Sequence, residues 1–379
     1  MSLLVLSPWE GDWLPGQFGT PKNRYLFFEL ERRGIETFWV YPGKGKYDDG
    51  RHVKFIAVDV RPPRIKPPAL RYYLLARKIA RRISELVPME KVELIVSMYW
   101  MAFAGSRLSR TYGLPHVVKL FGISANPLVV NVKNPLVQIR HFDLLPLKMG
   151  ADAFVLENDG SNAELTARMF GILSRDMHIN LQPRPETVKE EPVFRREGKI
   201  VVGYAGRLEK YKGMEHLIRI IQHFSSNQNV EFLIAGRGSY EGKLKRFTSV
   251  NLVSLSFDEM HRFYSSIDIL INTATYANMT RPTVEAMAYG KPVVAFDVTL
   301  GSIIRHDWNG FLIRPFDWRE MAHYIGMLVN DGELRKSMSV NALKTSGDIP
   351  IIVENIAREV EFYLNRARPR RSRTRRTGE

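Results

Sequence analysis

Two cations lie close to two glycines in the segment AGRLEKYKGMEH, which spans residues 205–216. Gly206 and Arg207 follow an apolar run typical of a buried strand, whereas Lys212 and Gly213 come directly before a helical pattern. Positive side chains at the amino terminus of a helix can bind a polyanion such as a diphosphate, because the helix dipole and its free amides add to their charge. The alternative for the glycine and arginine alone is an ordinary structural turn.

A second candidate segment is TYANMTRPTVEAMAYGKPVVA, at residues 275–295. Pro282 predicts the first turn of a helix, which puts Thr280 and Arg281 at an amino terminus where a hydroxyl and amides can bind phosphate. Glu285 lies one turn further along, where a carboxylate would repel phosphate but could accept two hydrogen bonds from a vicinal diol such as a ribose. The alternative is a surface glutamate that the helix dipole stabilises.

Both segments must be positioned by a larger scaffold of apolar strands that alternate with helical patterns. Strand-like runs lie at 3–7, 37–42, 92–99, 116–122 and 153–157, and a second series lies at 200–206, 231–236, 251–256, 267–273 and 292–297. This alternation predicts parallel sheets covered on both faces, and 379 residues exceed one typical core. We therefore predict an α/β protein with two doubly wound, Rossmann-like domains that face each other across a cleft. Ligands bind such sheets beyond the carboxyl ends of the strands, where both candidate segments begin.

The domain boundaries follow from changes in composition. We predict a first domain at 1–182, a linker rich in proline and charge at 183–198, and a second domain at 199–347. A helix over 348–366 should pack back across the first domain, and the basic tail at 367–379 should be disordered.

Composition excludes some chemistry and leaves several partners open. The chain has no cysteine, which excludes disulfides, thiolate nucleophiles and cysteine-bound metal sites. The net charge is +15, and part of it lies in seven arginines near the carboxyl terminus: Arg366, Arg368, Arg370, Arg371, Arg373, Arg375 and Arg376. Such a tail could bind nucleic acid, anionic lipid or no specific partner. A nucleic-acid-binding protein is the weakest hypothesis, because the rest of the chain lacks the signature of a known nucleic-acid module.

A second basic segment is an amphipathic helix pattern in RYYLLARKIARRISEL, at residues 71–86. One stripe is apolar (Tyr72, Leu75, Ile79, Ile83 and Leu86), and the other faces carry Arg71, Arg77, Lys78, Arg81 and Arg82 beside Leu70 and Leu74. That mixture suits the surface of an anionic membrane, and the alternative is a solvated helix face. No apolar run approaches the ~20 residues that a membrane span needs. We expect a cytoplasmic protein that can associate peripherally with the inner face of a membrane.

Together the motifs resemble the retaining glycosyltransferases of family 4, which have the GT-B fold. The resemblance covers most of the second domain, through the segments at 203–218, 232–238, 258–274, 282–297 and 306–313. The first domain resembles the family less closely. The similar features there are Pro15, Gly16 and Gly19 and the stretch LPHVVKLFG. The resemblance implies transfer of a sugar from a nucleotide-sugar donor to a glycan or lipid-linked acceptor. It implies no cofactor, and the chain has no Asp-x-Asp, so we expect metal-independent catalysis.

The resemblance also implies roles for single residues. Arg207 and Lys212 would neutralise the diphosphate as the catalytic cations, with Gly206 beside them. Glu285 would hold the ribose, and Thr280 and Arg281 would lie near the phosphates. Domain closure would bring Gly16 onto the donor.

The departures from the family pattern concern the sugar. The first acid of the family's paired-glutamate motif falls on Ala277, so Asn278 is expected to act in its place. Phe121 stands before Gly122, where relatives often have a histidine, and the family's Asn-Gly before the linker is missing. A nucleotide-sugar-binding protein without transferase activity is therefore the alternative.

Overall fold

The structure is a computed structural model that describes residues 1–11, 21–47, 49–65, 68–187, 193–194 and 198–367. Gly16 and the tail at 368–379 lie outside the described residues, as do parts of the predicted linker, at 188–192 and 195–197. The domain boundaries remain a prediction.

The first sheet is fully parallel. Its strand order is β3-β2-β1-β4-β5-β6-β7, which confirms a doubly wound arrangement. The strands are β1 (Ser2–Leu6), β2 (Glu36–Pro42), β3 (Val53–Val58), β4 (Leu94–Met98), β5 (His116–Leu120), β6 (Ala153–Asn158) and β7 (Met177–Leu181). Sequence analysis missed β3 and β7, because each lies at an edge of the sheet and has a weaker apolar run than the buried central strands.

The helices of the first domain cover both faces of this sheet. They are α1 (Pro21–Arg32), α2 (Pro68–Leu86), α3 (Ala102–Tyr112), α4 (Pro135–Arg140) and α5 (Ala163–Met169). The predicted apolar stripe of α2 is buried at Leu75, Ile79 and Ile83, and the basic residues of that helix are exposed. In the described part of the chain, no helix combines the length and the apolar character that crossing a membrane requires.

The second sheet repeats the pattern with the order β10-β9-β8-β11-β12-β13, again fully parallel. Its strands are β8 (Ile200–Ala205), β9 (Val230–Ala235), β10 (Val250–Val253), β11 (Ile269–Asn272), β12 (Val293–Phe296) and β13 (Gly310–Ile313). The helices packed around it are α6 (Met214–His223), α7 (Glu241–Leu244), α8 (Met260–Ser266), α9 (Arg281–Ala288), α10 (Trp318–Asn330) and α11 (Gly332–Gly347).

The last helix, α12 (Ile352–Arg366), crosses back and packs against α1 and β7 of the first domain. A buried polar network holds it there. Lys119 Nζ lies 2.5 Å from Glu359 Oε1, and both side chains are fully buried. Tyr363 and Asn180 donate to the same carboxylate at 2.6 and 2.5 Å. Burial opposes ionisation of Glu359, but Lys119 and these donors outweigh it and lower its pKa.

Loops at the carboxyl ends of the two sheets touch directly. Asn126 donates its amide to the carbonyls of Tyr276 at 2.8 Å and Val298 at 2.7 Å, and Thr299 Oγ1 donates to the Gly160 carbonyl at 2.6 Å. Gly160 has a φ of 89°, and a Cβ atom there would lie 2.7 Å from the backbone nitrogen of Met279. The domains therefore meet at a position where only glycine fits.

Candidate active site

A cleft of about 1610 Å³ lies between the domains and is lined by the carboxyl-terminal loops of both sheets. Six of the residues predicted from the sequence line it together: Gly206, Arg207, Lys212, Thr280, Arg281 and Glu285. The first three follow β8 and precede α6, and the others follow β11 and begin α9. The structure thus brings the two predicted segments to one cavity.

Lys212 is the more enclosed of the two predicted cations. Its Nζ donates to Tyr276 Oη at 2.6 Å and lies 4.8 Å from the centre of that ring. Burial lowers the pKa of Lys212, and Arg207 acts in the same direction, while Tyr211 and Asp159 oppose the shift. A bound anion would relieve this burial cost by pairing with the ammonium group.

Arg207 is exposed, and its carbonyl accepts from Tyr204 Oη at 3.2 Å, but its guanidinium forms no hydrogen bond or ion pair with any residue that the structure describes. Its guanidinium group is therefore available to a ligand in the cleft. Arg207 and Lys212 together give this wall of the cleft a positive charge.

The backbone between these cations is shaped by close contacts between loops. Gly213 has a φ of 75°, and a Cβ atom there would lie only 1.8 Å from the carbonyl oxygen of Thr273. The hydroxyl of Thr273 donates to the Lys212 carbonyl at 2.9 Å. Only glycine fits at 213, and this contact fixes the backbone of Lys212 against the loop after β11.

Glu285 is 3% exposed, although it lines the cleft. Tyr264 Oη donates to Glu285 Oε2 at 2.6 Å, and Arg281 Nε lies 3.3 Å from Oε1. Burial raises the pKa of Glu285, while Arg281 and the tyrosine hydroxyl act against this shift. The alternative of an exposed surface glutamate is wrong, because the side chain is buried. A carboxylate has about four acceptor positions, so lone pairs remain for a ligand.

The amino terminus of α9 differs from the expectation in one respect. Pro282 lies in the first turn as predicted, and Thr280 is the cap residue, whose hydroxyl accepts from Asn272 Nδ2 at 3.2 Å. The guanidinium of Arg281 turns to Glu285 and also lies 5.2 Å from the centre of the Phe257 ring. Arg281 thus holds the buried carboxylate in place instead of extending freely toward a phosphate.

The prediction that Asn278 acts on the donor sugar requires its side chain to face the cleft, and the structure buries it elsewhere. The residue is 1% exposed and is absent from the described lining of the cleft. Its amide donates to the Phe296 carbonyl at 2.9 Å, and its side-chain oxygen lies 3.4 Å from Ser302 Oγ. These bonds fix the loop after β11 against β12, and a role for Asn278 in place of the acid stays a prediction. Ala277 beside it is fully buried.

Sequence reasoning missed the polar residues that the first domain contributes. Lys22 at the start of α1 pairs with Glu157 of β6, and both line the cleft. Asp159, just after β6, also lines it, and its Oδ1 accepts from the amide and hydroxyl of Ser161 at 3.0 and 2.6 Å. Burial raises the pKa of Asp159, although the two hydrogen bonds from Ser161 act to lower it. For Glu157 and Asp159, the position at or just after the end of β6 was the available signal.

Comparison with known proteins agrees with this geometry. Residues 186–345 match the sequence model of the glycosyl transferases group 1. An uncharacterized glycosyltransferase of Methanocaldococcus jannaschii is 27% identical over 183 residues, which are 46% of this chain and 47% of that protein. The chain therefore spans about half the length of that curated relative. A second uncharacterized glycosyltransferase of the same organism is 26% identical over 291 residues, which are 73% of this chain and 75% of the relative.

Solved structures extend the likeness to the whole fold. Sucrose-phosphate synthase from Thermosynechococcus elongatus superposes with a TM-score of 0.77 at 17% identity, covering 96% of this chain and 98% of that one. HepE of Anabaena superposes with a TM-score of 0.68 at 17% identity, covering 96% and 99%. The chain has the GT-B fold, and its residues 186–345 match the glycosyl transferases group 1.

Proposed function

We propose that this protein is a glycosyltransferase that uses a nucleotide-sugar donor. One observation carries the proposal: the buried carboxylate of Glu285 and the cations of the 206–213 loop line the same interdomain cleft. A carboxylate suits the ribose hydroxyls, and the cations suit the diphosphate. HepE, which has the same fold, has been solved with UDP, with UDP and glucose, and with UDP-glucose. UDP is therefore the first nucleotide to test.

The reaction would transfer the sugar from a phosphate oxygen to an acceptor hydroxyl. The bond from the anomeric carbon to the diphosphate oxygen breaks, a bond to the acceptor oxygen forms, and the proton of the acceptor hydroxyl passes to the leaving diphosphate or to solvent. Negative charge grows on the leaving diphosphate, and preorganised cations in a cleft with little water stabilise it most effectively. Arg207 and Lys212 would supply that stabilisation, and Gly206 would let the loop approach the donor closely. Thr280 would lie beside the phosphates.

The experiment replaces each cation by alanine. Arg207→Ala and Lys212→Ala should each lower turnover by about 10² or more, as removal of a comparable transition-state contact does. Lys210→Ala is the matched control, because Lys210 lies in the same turn, is exposed and does not line the described cleft. Turnover within a factor of about two of the parent's in both cleft variants would refute the assignment.

The proposal includes two more specific claims: the protein is a retaining enzyme of family 4, and it catalyses transfer without a metal ion. They rest on the sequence resemblance and on the absence of an Asp-x-Asp motif. We expect proton NMR of the first product formed to show the anomeric configuration of the donor. Turnover should persist after treatment with a chelator. An inverted product would overturn the claim of retention. Activity that returns only when a divalent cation is added would overturn the claim of metal independence.

A nucleotide-sugar-binding protein without transfer is the second candidate. Ala277 favours it, since the sugar-side acid of the family is missing and Asn278 is buried outside the described lining of the cleft. Mass spectrometry of nucleotide sugars incubated with the protein and an acceptor mixture separates the two functions. A donor that binds and stays intact would favour this candidate.

We further propose that the first domain docks on an anionic membrane and that the acceptor is lipid-linked. Helices α2 and α4 pack against each other. Leu136 and Ile139 of α4 are 75% and 54% exposed, and Leu70 and Tyr73 of α2 are 46% and 42% exposed. Arg77, Lys78 and Arg81 lie on the outward face of α2. Exposed apolar side chains beside cations suit the interface of an anionic bilayer.

Vesicle sedimentation tests this docking. Binding to vesicles of anionic phospholipid should fall as salt rises, should weaken in Arg77→Gln/Arg81→Gln, and should weaken in Leu136→Ser/Ile139→Ser. Removal of residues 368–379 should weaken it further if the arginine tail is a second anchor. The control is Lys336→Gln/Lys344→Gln, which removes two exposed charges from α11. Equal binding of neutral vesicles, or no binding, would contradict the proposal.

A further inference from the structure

A tyrosine lies directly against the more enclosed cation of the cleft. Tyr276 comes shortly after β11, immediately before Ala277, and it lines the cleft together with Lys212. Lys212 Nζ donates to Tyr276 Oη at 2.6 Å and lies 4.8 Å from the centre of the tyrosine ring. The ammonium group therefore interacts both with the hydroxyl oxygen and with the π face of the ring.

The direction of this hydrogen bond leaves the hydroxyl proton of Tyr276 for a second partner. An ammonium group has donors and no acceptor, so Tyr276 Oη accepts from Lys212. Among the residues that the structure describes, none accepts a hydrogen bond from the tyrosine hydroxyl. The proton can therefore be donated to a ligand in the cleft.

The surroundings of Tyr276 keep its hydroxyl protonated. Burial raises the pKa of this hydroxyl, and Asp159, Tyr211 and Asp143 act in the same direction. Arg207 opposes the shift without reversing it. The group is thus a neutral donor throughout the physiological pH range.

Contacts with both domains fix the position of the tyrosine. Its backbone carbonyl accepts from Asn126 Nδ2 of the first domain at 2.8 Å, and the same amide donates to the Val298 carbonyl at 2.7 Å. On the second domain, the Tyr211 ring lies 6.2 Å from the Tyr276 ring. The hydroxyl is therefore in place beside Lys212 before a ligand binds, and a preorganised dipole is the kind that stabilises developing charge most effectively.

We propose that Tyr276 is a further catalytic residue, whose hydroxyl donates to an oxygen of the leaving diphosphate while it accepts from Lys212. The inference rests on the proposed function and adds a neutral donor to its two cations. A hydroxyl that accepts from an ammonium group is polarised by it and becomes a stronger donor. The bond strengthens as charge grows on the diphosphate, so it stabilises the transition state more than the bound donor. The proton stays on the phenol throughout.

Tyr276→Phe tests the hydroxyl alone, because it keeps the ring against Lys212. With the nucleotide sugar that the parent turns over, kcat and kcat/KM should fall together by at least about tenfold, as expected when a contact made mainly in the transition state is lost. The matched control is Tyr211→Phe. Tyr211 is the neighbouring ring, and its hydroxyl bonds to no residue in the described part of the chain, so turnover should stay within about twofold of the parent's.

A second measurement requires only the binding of UDP. Calorimetry in buffers of different ionisation enthalpy counts the protons that the protein takes up, and we expect uptake at alkaline pH because the diphosphate restores the ammonium form of Lys212. The Tyr276 hydroxyl accepts from that form, so its loss should lower the pKa of Lys212 further. The pH of maximal uptake should fall by about one unit in Tyr276→Phe. Tyr211, Asp159 and Arg207, the other groups that act on this lysine, are the same in both proteins.

The outcomes separate the role of Tyr276 from the proposed function. If the parent transfers sugar and Tyr276→Phe does so at a rate within about twofold, the inference is wrong and the proposed function stands. An unchanged pH of maximal proton uptake would also overturn the inference. So would a loss of turnover that is matched by an equal loss of donor affinity, because the hydroxyl would then contribute only to ground-state binding. A parent that binds no UDP and transfers no sugar would count against the proposed function itself.

Discussion

The single carboxylate at Glu285 combines burial with access to the cleft. Water cannot solvate it fully, yet Tyr264 and Arg281 occupy only part of its hydrogen-bonding capacity. Burial that is only partly compensated disfavours the charged form, and the pKa of Glu285 is raised for this reason. A diol that donates two hydrogen bonds would fill the remaining acceptor positions of the carboxylate.

Removal of this carboxylate should therefore weaken binding of the nucleotide. We expect Glu285→Ala to reduce the affinity for UDP by about 1 to 3 kcal/mol, the usual cost when polar partners lose their bond. Isothermal calorimetry measures the change. Glu285→Gln is the companion variant, because it keeps the size of the side chain and loses one acceptor, and it should fall between the parent and Glu285→Ala. Parent-like affinity in a folded Glu285→Ala protein would show that the ribose lies elsewhere.

The lowered pKa of Lys212 predicts an alkaline limit on turnover. The ammonium form is lost as pH rises through the pKa, and burial moves that value below the ordinary lysine value of about 10.4. We expect kcat/KM, which reports the free enzyme, to decline on the alkaline side below that pH.

Lys212→Arg provides the check, because a guanidinium stays protonated up to about pH 12. Any turnover that this variant retains should lack the alkaline decline. A decline at the same pH in parent and variant would assign it to another group.

At the scale of elements, the site depends on how closely two loops approach. The loop after β8 and the loop after β11 touch through Gly213 and Thr273, and this contact sets where Lys212 lies relative to α9. A side chain at 213 would push the loops apart. The cations and the acid would then no longer match one ligand.

Gly213→Ala should consequently damage both stability and nucleotide binding. Left-handed backbone and a contact of 1.8 Å with Thr273 O together predict a loss of at least about 2 kcal/mol in the free energy of unfolding. Gly242→Ala is the matched control, since Gly242 lies in α7 with nothing near its added Cβ. Denaturant unfolding and UDP titration measure the two effects. Equal stability of the two variants would contradict this account of the loop.

At the scale of the whole molecule, the interdomain contact at Gly160 controls how closely the domains approach. A Cβ atom added there would lie 2.7 Å from the backbone nitrogen of Met279 and 2.8 Å from that of Asn278, both in the second domain. The same contact explains why Asn278 is buried and does not face the cleft. In the proposed function, transfer takes place in the cleft between both domains, whereas the proposed nucleotide-binding residues Arg207, Lys212 and Glu285 all lie on the second domain.

Gly160→Ala should therefore separate the domains and leave nucleotide binding intact. We expect a larger radius of gyration by small-angle X-ray scattering, turnover reduced at least tenfold, and UDP affinity within about twofold of the parent. The control is Gly171→Ala, which has a similar left-handed φ of 83° but nothing within reach of the added Cβ. An unchanged radius of gyration with normal turnover would show that the domains do not meet at Gly160 in solution.

The sequence by itself determined the two sheets, the order of most of their strands along the chain, and the grouping of the residues proposed to bind the nucleotide. Periodic apolar runs report burial, and strand ends in parallel sheets converge on one edge, so Arg207, Lys212 and Glu285 could be grouped from the sequence. Edge strands such as β3 were missed because partial burial weakens the apolar pattern.

Only the tertiary structure decided which polar groups face the cleft. Asn278 and Glu285 lie in one short segment, yet Asn278 donates to β12 whereas Glu285 lines the cleft. The spacing of these residues along the chain carries no information about that difference. Trp9, Tyr99 and Phe121 follow strands β1, β4 and β5, are separated by up to about 110 residues along the chain, and become one surface only when the sheet forms. Contacts between residues distant in sequence depend on the packing of whole elements, and for this reason this contact between aromatic rings could not be derived from the sequence.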